Sequence, residues 1–380
     1  MEVTFGRIEQ PSARYRLAMI VFAAMALAGL SATLVAAKEG LALTGMTNRV
    51  PWGLQIVMAV YYIGLSAGSL VISGLYGVFG KSDYKPFARI AVYVAMVFLI
   101  AGLLSILTDQ GRMDRVFVEP FVYFNLRSMF SINPSLYLER RRTTKVVATL
   151  AFGWAFCVHS GTGAIFGFGS RVLYESPLLP ASFVAAAMAS GCAFMILLIV
   201  GLFRATRRPL DADLVVWLGR FLAVCILVVV YFLFMENAYR VYVVELRSAA
   251  MFYLFGGFHS VLFWFGLVLV GLLVPMFLLF WRRTGRDLRW ILVASALVVF
   301  GVLCERYVIV LPGLLHPQEI LPGMEIVKSP VEEGVVAYGG SIVEVLQALG
   351  VFGVVALLFL FGLRTFKLLP SEARSTRAAP

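Results

Sequence analysis

Asp109, His159, Glu236 and Glu305 are ionisable groups set within or at the ends of long apolar runs, with Trp52, Gln55, Arg112 and Tyr307 close by on the same or neighbouring runs. An ionisable side chain is costly in apolar surroundings, so each is a functional hypothesis by default. Proton exchange, hydrogen bonding to a bound ligand and plain charge pairing are the chemistries open to them. Asp109 and Arg112 are three apart and could pair on one helical face. Glu236 has Arg240 four residues on and Glu305 has Arg306 beside it, so pairing at the membrane edge competes with a proton-carrying role. His159 is flanked by Ser160, Gly161, Thr162 and Gly163, which permit close helix approach; its imidazole could exchange protons or simply bond a neighbouring backbone. His259 sits among Phe252, Tyr253, Phe255, Phe258, Phe263 and Trp264, a setting that favours packing; Tyr61 also suits packing. The spacing of Gly64, Ser66, Gly68 and Ser69 signals close helix contact and carries no chemistry.

The runs that must position these groups fix the fold class. The chain has 380 residues, of which 61% are hydrophobic and 14% charged, with mean hydropathy +0.90. A soluble chain of that length cannot bury so much apolar surface. Runs of about twenty apolar residues are long enough to cross a hydrocarbon core. They predict an all-α, polytopic bundle with nine visible spans, 17–37, 52–78, 88–107, 147–169, 179–203, 213–236, 249–281, 290–311 and 341–363. The seventh is over-long, predicting tilt or projection beyond the bilayer, with Pro275 as a kink point. The whole of 1–380 forms one membrane domain, with 312–340 as a proline- and glycine-rich loop cap and 364–380 as a tail. The first apolar run exceeds the 7–15 residues of a cleaved signal core, predicting a retained span.

Basic residues set the orientation. Of 32 Lys and Arg, 22 fall in the N-terminus, alternate loops and the tail, and 10 in the intervening loops. That partition predicts a multi-pass protein with both termini cytoplasmic. It requires a crossing between Arg112 and Lys145, where Asp114, Arg115, Glu119, Pro120, Arg127 and Pro134 make no ordinary span. On this orientation Trp52, Gln55, Asp109, Arg112, Glu236, Glu305, Glu344 and Gln347 all approach one leaflet from outside. The net charge of +11 is accounted for by the loops, so nucleic acid is not a predicted partner. Cys157, Cys192, Cys225 and Cys304 lie in spans without a metal-ligand or disulfide pattern and are predicted to be buried and inert.

The ordered motifs resemble one family. Val50-Pro-Trp-Gly-Leu54, Gly64-Leu-Ser-Ala-Gly-Ser69, Asp109-Gln-Gly-Arg112, Phe124-Asn-Leu-Arg-Ser-Met129, His159-Ser-Gly-Thr-Gly163, Leu179-Pro180, Ser190-Gly191 and Glu305-Arg-Tyr307 together are similar to the NrfD/PsrC membrane subunits, which include the hydrogenase subunit HybB. The resemblance implies a subunit of an oxidoreductase complex in a bacterial inner membrane. Such a subunit reacts with a quinone or quinol (menaquinone or ubiquinone) without haem or an iron–sulfur cluster of its own. It docks a ferredoxin-like iron–sulfur subunit and a further catalytic or cytochrome subunit. Asp109, His159, Glu236 and Glu305 would then serve the protons, and Trp52, Gln55, Asp109, Arg112, His159 and Tyr307 the ring, since a quinone needs apolar walls and a few donors. The resemblance also implies ten helices in the intact fold, whereas Ser131-Ile-Asn-Pro-Ser-Leu-Tyr137 runs almost directly into Glu139-Arg-Arg-Arg142. Either a helix is absent between Tyr137 and Glu139, which is the favoured expectation, or the fourth element is irregular. A transporter or channel is the alternative from another class, and a b-type cytochrome with His159 and His259 as ligands is a third. No internal repeat favours the former.

Overall fold

The computed structural model describes residues 5–9, 11–47, 50–110, 141–169, 171–316, 319–321, 324–325 and 338–370. Among them nine helices are long and apolar enough to cross a membrane. Helices satisfy every backbone group internally, the condition for crossing a bilayer. They are α1 (Ala13–Glu39), α2 (Leu54–Gly77), α3 (Lys85–Asp109), α4 (Arg141–Gly167), α5 (Leu179–Ala205) and α6 (Ala212–Tyr242). After a shorter α7 (Val244–Phe255) come α8 (Gly257–Phe280), α9 (Leu288–Val310) and α10 (Ile342–Thr365). Side chains stop the free amides at several starts: Ser12 accepts from the Tyr15 amide, Asp211 from Asp213 and Asp287 from Arg289.

The over-long seventh run is not one tilted span. It breaks at Gly256–Gly257, where Gly257 has φ +65°, a conformation that costs a glycine nothing. The apolar stretch thus divides into α7 and α8. Within α8, residues Leu262–Leu273 are wound as a π-helix, and Pro275 follows immediately in the closing α-helical turn. The predicted kink point therefore coincides with a change of helix type, while the sharp break lies further upstream. The 312–340 segment, predicted as loop, contains a helical turn at Pro312–Leu315 and a small ribbon, β2 (Glu319–Leu321) with β3 (Met324–Glu325).

Helices α2 and α5 form the centre, touching α3, α4, α6 and α9 between them. Small residues set the closest approaches, as expected where lipid and helix surfaces are equally apolar. A Cβ on Gly191 of α5 would lie 2.3 Å from the Cα of Gly68 on α2. Helix α1 packs chiefly on α10 through the same device, a Cβ on Gly350 falling 2.4 Å from the Gly29 Cα. Gly350→Leu is therefore expected to pry α1 away and cost about 1–3 kcal/mol, the usual penalty of overpacking. A Cβ at Gly153 meets nothing within 4 Å, so Gly153→Leu should leave the melting temperature of the purified protein unchanged while Gly350→Leu lowers it.

The termini lie together. Strand β1 (Phe5–Gly6) pairs antiparallel with β4 (Leu369–Pro370), and the Arg89 guanidinium covers the Phe5 ring at 4.1 Å. Asp109, at the end of α3, stands at the opposite end of the bundle beside Gly53 and Glu344. The start of α4 is back at the terminal end: a Cβ on Gly77 would meet Ala148, and Phe79 contacts Phe152 edge-on at 5.9 Å. The described residues flanking 111–140 thus lie at opposite ends of the bundle, as the charge partition requires. The predicted absent helix and Arg112 themselves fall outside the described residues. Cys192, Cys225 and Cys304 are buried, but Cys157 faces outward from α4, because a membrane helix is as apolar on its lipid side as on its packed side.

Candidate functional site

We call the end away from the paired termini the outer end, following the charge partition. One turn of α9 organises it. Successive helical residues point about 100° apart, so Glu305, Arg306 and Tyr307 serve three separate groups of side chains.

The first group surrounds Glu344, fully buried at the start of α10. Its carboxylate accepts from the Gly45 amide at 3.0 Å, the Leu54 amide at 3.2 Å, the Ser341 amide at 3.0 Å and the Tyr338 hydroxyl at 2.8 Å. The Glu344 amide in turn donates to Ser341 Oγ at 3.2 Å, completing a capping box. Gln55 Nε2 donates to the Glu344 backbone carbonyl at 2.8 Å. Burial and the adjoining carboxylate push the Tyr338 phenol above its ordinary pKa, so it remains a donor at physiological pH. Asp109 is buried and faces both the Gly53 amide and Glu344.

Several buried polar atoms in this group have no hydrogen-bond partner: Gln55 Oε1, Asp109 Oδ1, Ser105 Oγ one turn below Asp109, and both amide atoms of Gln347 one turn below Glu344. Such atoms are rare in folded proteins and call for a ligand or water. Tyr307 approaches the group from α9 and stacks on His259, ring centres 6.3 Å apart and planes 29° apart. Trp52 stacks on Tyr174 at 6.3 Å and meets Phe166 edge-on at 5.6 Å. Tyr174 in turn donates to the Val310 carbonyl, holding the α4–α5 loop to the end of α9.

The second group is His159 with Arg306. The imidazole is 1% exposed, beside Phe183 at 5.7 Å, and neither ring nitrogen has a hydrogen-bond partner. Gly64 of α2 faces the imidazole, and a Cβ there would make an ordinary contact with it at 3.5 Å. Arg306 is wholly buried, its guanidinium 4.2 Å over the Phe183 ring. The third group is Glu236, Arg240 and Glu305. Helix α6 continues past its predicted end at 236 to Tyr242, so Glu236 and Arg240 pair one turn apart at 2.7 Å inside the protein, not at its edge. Arg240 also donates to the Leu173 carbonyl at 2.7 Å. Glu305 lies 3.9 Å from Arg306.

Of the predicted residues, Trp52, Gln55, Asp109 and Tyr307 thus gather around Glu344, while His159 stands apart with Arg306, and Glu236 with Glu305. His159 and His259 belong to different groups, the latter packed between Phe252 and Tyr307. The sequence places Glu344 and Gln347 at the outer leaflet without giving them a site role, and it does not single out Tyr338. Their signal is present in the string, a carboxylate and an amide three apart at the mouth of a span. Among the described residues no group of three or more His, Cys, Asp or Glu is placed to hold a metal ion.

Residues 42–140 and 134–318 match the polysulphide reductase NrfD family. The chain is 38% identical to the Hdr-like menaquinol oxidoreductase integral membrane subunit of Archaeoglobus fulgidus over 98% of both chains. It is 26% identical to a selenate reductase subunit of Mesobacillus selenatarsenatis, covering 90% of this chain and 92% of that one. It is 29% identical to a putative dimethyl sulfoxide reductase membrane subunit of Halobacterium salinarum, covering 95% and 91%. The first alignment runs over 394 positions against 380 residues here, so that relative has residues with no counterpart in this chain.

Proposed function

Because the chain belongs to the NrfD family of polysulphide reductase membrane subunits, we propose that it is the quinol-reactive membrane subunit of a respiratory oxidoreductase complex. It exchanges electrons between a bilayer menaquinol pool and a docked ferredoxin-like iron–sulfur subunit at the outer end, and the electron path continues into a further catalytic or cytochrome subunit. The activity belongs to the complex; this chain supplies the quinol site. It lies in an inner (cytoplasmic) membrane with both termini inside, an orientation supported by the basic loops and the paired termini.

One observation carries this reading. Unpartnered buried polar atoms from α2, α3 and α10 converge at the outer end beside Trp52 and Tyr307, among otherwise apolar walls. A quinol headgroup is a flat apolar ring with two oxygens, and such a site fits it: amide and carboxyl atoms bond the oxygens and aromatic faces take the ring. On this reading Asp109, whose Oδ1 has no hydrogen-bond partner, takes a proton from a ring hydroxyl. The quinol supplies the redox chemistry; the protein orients it and handles its protons.

Asp109→Asn preserves shape but cannot accept a proton. It is expected to lower quinol turnover about tenfold or more, within the 10²–10⁴ range of general-base contributions or somewhat below it. The co-purified complex should stay intact; loss of assembly with no turnover defect in the residual complex would assign Asp109 to structure. His159→Gln should likewise slow turnover with the complex assembled, read out as kcat against KM for a soluble menaquinol analogue.

A further inference from the structure

Glu236 and Glu305, on different helices, border one enclosed space. A cavity of about 30 Å³ lies between α5, α6, α7, α8 and α9, lined by Ser182, Glu236, Asn237, Arg240, Tyr253 and Glu305 among apolar neighbours. Its volume suits one or two water molecules, and its lining supplies the two to four polar partners that each requires. Glu305 is 4% exposed with no hydrogen bond at Oε2, Arg240 is 8% exposed with none at Nε, and neither Asn237 Oδ1 nor the Tyr253 hydroxyl has one. Four polar atoms without a hydrogen bond, from three helices around one small cavity, are more than packing leaves behind by accident.

The charges around it are unequal in their compensation. Glu236 has a direct hydrogen-bonded partner, Arg240, at 2.7 Å. Glu305 has only Arg306, at 3.9 Å, whose guanidinium is spread over Phe183. The charged and titratable groups facing Glu305 are Arg306 from its own helix, Glu236 and Arg240 from α6, and Tyr253 from α7. Of the two carboxylates Glu305 is the one free to change its proton occupancy, and Glu236 with Arg240 leads from the cavity to the Leu173 carbonyl in the outer α4–α5 loop.

We propose that this cavity is a resident water site through which Glu305 loads and unloads a proton at the outer end of the protein. The proposal rests on the quinol-oxidising reading above. Each quinol oxidised gives two electrons to the iron–sulfur partner and two protons to the protein. One of the two is taken by Asp109, the acceptor proposed above; the other passes to the Glu305 carboxylate, making it neutral, and leaves through cavity water past Glu236, restoring the carboxylate.

Two measurements on the intact complex test it. X-ray hydroxyl-radical footprinting labels side chains that touch bound water, whether or not quinol is present. Tyr253 and Phe263 should be labelled in the wild type despite their burial, and labelled at least fivefold less in Ser182→Val, whose added methyls fill the cavity. Absence of wild-type labelling at both residues would overturn the water site. Infrared difference spectra on quinol addition should show a carboxyl band that exchanges in heavy water. The part of that band that survives Asp109→Asn should vanish when Glu305→Gln is added, and Glu305→Gln alone should lower turnover about tenfold and flatten the pH profile; a spectrum unchanged by Glu305→Gln would overturn the loading role. Should Glu305→Gln fail to assemble, Glu236→Gln replaces it and should slow proton release without removing the band. Labelled Tyr253 in a complex with no quinol-dependent turnover would sink the redox reading while leaving the water site in place.

Discussion

Glu344→Ala is expected to release the outer end of the bundle and reduce quinol turnover by two orders of magnitude, while the chain still inserts as a multi-pass protein. The carboxylate is the common acceptor for donors from three places: Gly45 after α1, Leu54 at the start of α2, and Ser341 with Tyr338 before α10. Hydrogen bonds to a charged group contribute about 1.5–3 kcal/mol each, and their loss leaves four donors without this acceptor. The bonds are not additive, but even two of them exceed what a local loop arrangement withstands. Gln55 hangs from the backbone of the same residue, and Asp109 faces it, so the proposed ring contacts lose their register together. Amide hydrogen exchange at Gly45, Leu54 and Ser341 should accelerate at least tenfold in the variant. Glu344→Gln keeps one acceptor oxygen and should fall between. Gly53→Ala tests the same point from the other side, since its Cβ would sit 2.1 Å from Glu344 Oε1 and drive the carboxylate from its donors. Unchanged exchange at those three amides in Glu344→Ala would refute the keystone role.

What the sequence discloses follows from what hydropathy can register. Spans emerge within a few residues because twenty apolar residues in a row have one use. The break at Gly256–Gly257 is hidden because apolar residues continue on both sides, and only the glycine pair marks it. The continuation of α6 to Tyr242 is hidden for the opposite reason. Glu236, Asn237 and Arg240 look like the end of a span, yet the Glu236–Arg240 pair, with Asn237 bonded back to the Leu233 carbonyl, lets the helix carry them into the protein. Cys157 is misplaced because lipid and protein interior are equally apolar, so a buried face and a lipid face cannot be told apart by composition. The site divides in the same way. Asp109, His159, Glu236 and Glu305 stand out because charge is rare in spans. Glu344 also stands out, but its importance lies in backbone donors as far as 299 residues away, which no local pattern encodes. The required crossing between α3 and α4 is legible from charge alone, and the two family-matched stretches overlap at that place, residues 134–140.

Arg306 is a wholly buried charge with little compensation among the described residues, and removing it should be revealing. A guanidinium has five N–H donors, and this one is wholly buried with no hydrogen bond from Nε, Nη1 or Nη2 to protein atoms. Its compensation is the Glu305 carboxylate at 3.9 Å and the face of Phe183 at 4.2 Å. Arg306→Leu leaves Glu305 buried without its nearest cation, a loss of about 3–5 kcal/mol for a broken buried pair. The melting temperature of the purified protein should drop accordingly. Pairing the change with Glu305→Gln removes the uncompensated charge, and the double variant should recover most of the stability, because replacing both members of a buried pair is often neutral. Turnover should not recover with it. Glu305 and Arg306 are adjacent on α9 but face the cavity at Glu236 and the imidazole at His159 respectively, so a neutral pair folds without joining those two groups. Arg306→Lys should also fall short, since an ammonium cannot lie flat on Phe183 as the planar guanidinium does. Stability restored together with turnover in the double variant would reduce the pair to a structural ion bridge. Stability restored without turnover would show that the buried charges are kept for the chemistry they permit.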